Sequence, residues 1–129
     1  MEKTIISPTV EISFYESLHS RYPDDWEIIK VLADYYMEAR LYSEALALDE
    51  RIIVQFPNDV LAHYNYACSL CRTHQLEASL LALQKAIDLG YNNWDFLLHD
   101  KDLEELRNQP NFPKWVQNNL PGKTWRAQF

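Results

Sequence analysis

The stretch RYPDDW, residues 21–26, returns at a fixed interval along the chain. Residues 55–60 read QFPNDV and residues 90–94 read GYNNW. In register, Pro23 meets Pro57 and Tyr91, Asp25 meets Asp59 and Asn93, and Trp26 meets Val60 and Trp94, at steps of 34 residues. Recurrence at a period of roughly 20–50 residues points to stacked structural units, each burying its apolar face against the next.

Between the recurring turns the apolar residues follow a helical period. Ile29, Leu32, Ala33 and Tyr36 fall on one helix face, and Ala45, Leu48, Ile52 and Phe56 form a second stripe that Pro57 ends. Arg40 and Leu41 separate the two, and Ser43-Glu44 is the expected N-cap of the second helix. One period later come His63, Tyr66, Ala67 and Leu70, then Ser79, Leu83, Ala86 and Ile87. Each unit therefore reads as helix, turn, helix, exit turn. Asp and Asn suit the exit because their side chains can accept from the free amides opening the next helix.

With 129 residues there is room for one compact domain. Only 2 glycines disfavour a sheet joined by tight hairpins, so the expectation is all-α. A formal charge of −7 argues against nucleic acid and anionic membranes as partners and suits a basic or amphipathic protein. The charge is uneven: from Pro113 onward Lys114, Lys123 and Arg126 stand without an acid. The opening MEKTIISPTVEIS lacks the apolar core of a secretory signal, and two nearby cysteines make no disulfide framework, so a cytoplasmic location is expected.

The pattern resembles the tetratricopeptide repeat, a helix-turn-helix unit of about 34 residues whose pairs stack into a right-handed superhelix. The resemblance places one repeat at 26–59 and a second at 60–93, with small residues Ala33, Ala45 and Ala67 at close helix approaches. Asp49 departs from it, standing where the family buries an apolar side chain, and Tyr91 replaces the closing proline. Helix 8–22, opening at Ser7-Pro8 and lined by Ile12, Tyr15, Leu18 and Tyr22, reads as an N-terminal half-repeat cap. Residues 94–119 resemble an atypical C-terminal cap of small bacterial-type members, with helices near Asp102–Asn108 and from Asn111. The domain is thus 1–120, with a basic aromatic tail at 121–129.

In this family the first helix of each repeat lines a concave groove. The resemblance assigns to it Glu27, Lys30, Asp34, Met37 and Glu38, then Leu61, Tyr64, Cys68, Cys71 and Arg72, and from the cap Asp95 and Leu98, with Asp102 a further candidate. This implies an acidic trough for a peptide or helix of a protein partner, with Tyr64 as apolar anchor; the bland reading is a solvated face of an acidic protein. The family's carboxylate clamp is not expected. Lys30 and Asn65 match two of its places, but Asp34, Asp95 and His99 stand where neutral or cationic groups belong.

Cys68 and Cys71, in CSLC, sit mid-helix without a second ligand pair, although His63 or His74 could lie nearby, so metal or thiol-redox chemistry is an alternative to binding. No glycine-rich phosphate loop occurs and no nucleophile accompanies His63 or His99, so no enzyme and no cofactor are expected. DLEELR, residues 102–107, reads as an exposed helix with its charges matched to the dipole. For the tail PGKTWRAQF three placements stay open: folded into the chain's own groove, in that of a second copy to give a homodimer, or with Trp125 packed on the last helix. The leading expectation is a non-catalytic protein-interaction module. A chaperone or adaptor for a secreted or assembling protein is the runner-up.

Overall fold

A computed structural model describes residues 8–126 of the chain, and within them every regular element is helical. In chain order these are α1 Pro8–Arg21, α2 Trp26–Glu38, α3 Tyr42–Gln55, α4 Val60–Arg72, α5 Leu76–Asp88, α6 Trp94–His99, a 3-10 turn Lys101–Leu103, α7 Glu104–Arg107 and α8 Phe112–Asn119. From α1 to α5 each helix packs on the next. The 3-10 turn and α7 then fold back against α4, and α7 also meets α5.

The recurring turn performs one job three times. The Asp25 carboxylate accepts from the amides of Glu27 and Ile28 at 3.1 and 3.3 Å, opening α2. Asp59 does the same for Ala62 at 3.1 Å, and Asn93 for Phe96 at 3.2 Å. The turn within each helix pair also recurs. Arg40 and His74, one period apart, hold φ of 61° and 64°, letting the amides of Leu41 and Gln75 reach back to the carbonyls of Tyr36 and Leu70. That closure satisfies carbonyls left free at a helix end.

α3 differs from the expectation: it begins at Tyr42 behind Leu41, with no side-chain cap from Ser43. The left-handed Arg40 sets the entry of the chain and starts the helix one residue earlier. The Ser7 cap expected for α1 lies outside the described residues. Tyr22 is half exposed, so α1 buries Ile12 and leaves its last turn at the surface.

Ala33, Ala45 and Ala67 are buried between helices, and the Ser79 hydroxyl, also buried, donates to the Ala67 carbonyl at 2.7 Å. One apolar cluster joins α1, α2, α3 and the start of α4; another joins α4 and α5 to Leu97, Leu103, Leu106, Phe112, Val116 and Leu120. The DLEELR segment is not an exposed helix. Leu103, Leu106 and Arg107 are buried, and Arg107 Nη1 donates to the carbonyls of Leu97 and Asp100. Beyond α8, Trp125 packs edge-on to Phe112 and its indole N–H donates to the Arg107 carbonyl at 3.0 Å. Of the three placements for the tail, Trp125 takes the last; Phe129 lies outside the described residues.

Candidate functional site

α2 and α4 line an open hollow together with Asp49 of α3, and Phe96 of α6 and the Asp100–Asp102 turn line its other side. Three adjoining cavities of about 220, 300 and 520 Å³ make it up, and Asn65 on α4 lines all three. The first is walled by Lys30, Asp34, Asp49 and Leu61. Asp34, Met37, Glu38, Asp49, Asp100 and Asp102 surround the second, and Leu61, Tyr91 and Phe96 the third. Leu61 and Phe96 are 62% and 54% exposed, a large apolar surface at a place where the chain could have put polar side chains.

The hollow thus brings together Lys30, Asp34, Met37, Glu38, Leu61, Tyr64, Asn65 and Cys68 from the residues expected there. Others go elsewhere. Glu27 is exposed at the start of α2 and lines none of these cavities. Asp95 is exposed and pairs with Lys123 of the tail at 3.1 Å. Arg72 Nε holds Asp102 at 2.9 Å, and its guanidinium lies over the Tyr42 ring.

Tyr64, Cys68, Cys71 and Leu98 are buried, at 4%, 4%, 1% and 6% exposure; Tyr64 and Cys68 still line the hollow, while Cys71 and Leu98 line none of its three cavities. The Tyr64 ring stacks on Tyr91 with centroids 4.4 Å apart, and its hydroxyl donates to Asp100 Oδ2 at 2.7 Å. The cap segment therefore covers the side chain expected to anchor a partner. Cys68 Sγ donates to the same carboxylate oxygen at 3.7 Å. Burial pushes both thiols up from their ordinary range, Cys68 the further, which disfavours the thiolate that redox chemistry needs.

Cys68 and the carboxylates of Asp100 and Asp102 offer three ligand atoms within 4.8 Å of one another. Asp100 already accepts from Tyr64 and Cys68, and Asp102 is paired with Arg72. A metal there would have to displace those partners. Neither histidine expected near the thiols bonds to them: His63 Nε2 donates to the Pro57 carbonyl at 2.8 Å, and His74 pairs with Glu105 at 2.7 Å. His99 Nδ1 donates to the Asp95 carbonyl at 2.7 Å.

Asp49 and Asp100 are the residues the sequence reading missed. Asp49 showed itself only as a charge at a core position, and Asp100 lies past the last recurring turn, where no periodicity locates it. In the structure Asp49 is 4% exposed, and burial, reinforced by nearby Asp34, pushes its carboxyl up to about 7 despite the hydroxyl of Ser69. Asp34 is also raised, first by partial burial and then by Glu38. Both shifts come first from burial, with a neighbouring carboxylate adding to each.

Among the described residues no helix is long and apolar enough to cross a membrane. No family model matches the chain, and no solved structure matches it. A stretch of 74 residues, 55% of this chain, is 35% identical to a curated chloroplastic protein of Arabidopsis thaliana. The chain spans only 22% of that relative's length.

Proposed function

We propose that the chain is a tetratricopeptide-type interaction module, with repeats at 26–59 and 60–93 between terminal caps, that holds a segment of a partner protein without catalysis. The reading of the fold is supported by the threefold cap at Asp25, Asp59 and Asn93 and by the paired left-handed turns at Arg40 and His74, all on the 34-residue period. The observation that carries the function is the hollow centred on Asn65, where exposed Leu61 and Phe96 adjoin a row of carboxylates. Apolar surface beside one sign of charge fits an extended or helical protein segment better than a small metabolite. The unpaired Cys68 and Cys71 suit a reducing compartment. The cytoplasm is the location we retain; the chloroplast belongs to a relative of which this chain spans 22%.

A photo-crosslinking side chain placed at Leu61 and, separately, at Leu81 tests this. Leu81 on α5 is as open to solvent as Leu61 but lines none of the three cavities. In native extract the Leu61 probe is expected to capture a discrete protein that the Leu81 probe does not. Equal capture at both positions, or capture at Leu81 alone, moves the binding face away from the hollow.

A further inference from the structure

The carboxylates around the 300 Å³ cavity differ in how far the chain itself satisfies them. Asp102 is neutralised by Arg72, and Asp100 accepts from Tyr64, Cys68 and the Asp102 amide. Asp34, Glu38 and Asp49 are not so provided. No lysine, arginine or histidine lines this cavity, and among the described residues none of the three makes an ion pair. Asp34 and Glu38 stand four apart on α2, where like charges repel across one helix face. Asp49, at 4% exposure, accepts from the Ser69 hydroxyl at Oδ2 and has no cation paired with it among the described residues. Asp49 lines both the 220 and the 300 Å³ cavities. A carboxylate largely withdrawn from water is costly to ionise, and an incoming charged N–H group would lower that cost.

Phe96 borders the acidic cavity on one side and the apolar 520 Å³ cavity on the other. A chain lying across it would meet carboxylates and an aromatic face on one side and Leu61 on the other.

We infer that the acidic cavity receives a lysine or arginine side chain of the partner segment, with an aliphatic or aromatic residue of the same segment against Leu61 and Phe96. This rests on the hollow being the binding face. It names the partner's chemistry: a basic, amphipathic protein segment in which a cation and an apolar side chain are near neighbours. The ammonium or guanidinium pairs with Asp49 and separates the charges of Asp34 and Glu38, while the Phe96 ring can take the cation's flank. Desolvated pairing of this kind fixes register and specificity as well as affinity.

The test selects peptides from a random library on the full chain, then measures binding of synthetic copies by fluorescence anisotropy. Enriched peptides are expected to carry lysine or arginine within a few residues of a large apolar side chain. The double variant Asp34→Asn with Glu38→Gln alters two solvent-facing carboxylates and keeps helical circular dichroism; it should weaken binding about tenfold. Exchange of the peptide's cation for citrulline or norleucine should cost the same on the native chain and little on the double variant. Peptides without an enriched cation, or binding indifferent to citrulline, overturn this inference. If Leu61→Ser still abolishes their binding, the hollow stands as the binding face without a cation site. Peptides that bind both the double variant and Leu61→Ser undiminished, or a library that yields no enrichment, remove both readings.

Discussion

Asp49 on α3 and Ser69 on α4 meet through a hydrogen bond of 2.9 Å, the serine hydroxyl donating to Oδ2, between two buried residues. Each is otherwise out of place in a helix-packing interface, and each makes the other tolerable. The pair accounts for a charge at a position that the repeat pattern reserves for an apolar side chain. It leaves a pH-dependent stability behind.

The Asp49 carboxyl titrates at about 7 in the folded chain against 3.8 for an unperturbed aspartate, chiefly because burial penalises its charged form. A raised folded value means that the stabilising contribution is complete below about 4 and is lost as pH rises through about 7. The melting temperature is therefore expected to be higher at pH 5.5 than at pH 8.5. Asp49→Asn, which still accepts from Ser69, should remove most of that difference and raise stability at the alkaline end by a few kcal/mol. Parallel pH profiles of melting for the two proteins would contradict the assignment.

Tyr64 lines the hollow with little exposed surface and also holds the cap in place. Tyr64→Phe keeps the stack on Tyr91 and loses only the bond to Asp100, at a cost of about 1–3 kcal/mol because the acceptor is a carboxylate. Tyr64→Ala also empties a buried ring site and should cost about 3–5 kcal/mol, the range for large aromatic truncations. Urea denaturation measures both. A Tyr64→Ala chain as stable as the native one would mean that the ring is free to meet a partner after all.

Arg40 adopts a left-handed backbone at φ 61°, which strains a residue with a Cβ, and its side chain is exposed. Arg40→Gly removes that strain and gives back part of it as unfolded-chain entropy, so a net gain of roughly 0.5–1 kcal/mol is expected. His74, one period on, has the same backbone but pairs with Glu105, and its glycine variant should gain less. Thermal denaturation of the two single variants ranks them. Destabilisation by Arg40→Gly would show that the arginine side chain does more at this turn than its exposure suggests.

The legible part of this fold is what the period repeats. Asp25, Asp59 and Asn93 could be matched as caps because each follows the same exit turn, and Ala33 and Ala67 as close approaches because each recurs on the same helix face. The cap segment was less legible. Its short elements carry no sustained period, so nothing in residues 94–120 announced that Asp100 would collect Tyr64 and Cys68, or that Arg107 would be buried under Trp125. The groove residues were misread for the same reason. Tyr64, Cys68 and Leu98 hold groove positions by count, but a cap folded over α4 buries nearly all of their surface, leaving Tyr64 and Cys68 only a small share of the hollow's wall, while Phe96, with no such position, becomes the hollow's exposed aromatic.

Arg107 ties that cap together, which makes its loss informative beyond stability. Its guanidinium donates through Nη1 to the carbonyls of Leu97 and Asp100, which flank the end of α6, and burial lowers its pKa. Arg107→Met keeps the apolar stem, takes the arginine donor from the Leu97 carbonyl and leaves the Asp100 carbonyl with the Leu103 amide alone, a cost of about 1–3 kcal/mol. Asp100 should then shift, and with it the partner that Tyr64 and Cys68 share. Cys68, buried beneath it, is expected to react slowly with a thiol reagent in the native chain and several times faster in Arg107→Met, at temperatures where far-ultraviolet circular dichroism shows the helices intact. Arg107→Lys, with a shorter reach and a single donor nitrogen, should fall between the two. Unchanged thiol reactivity in a destabilised Arg107→Met chain would mean that Asp100 is held by α6 itself, and that the cap covers the thiol without help from the arginine.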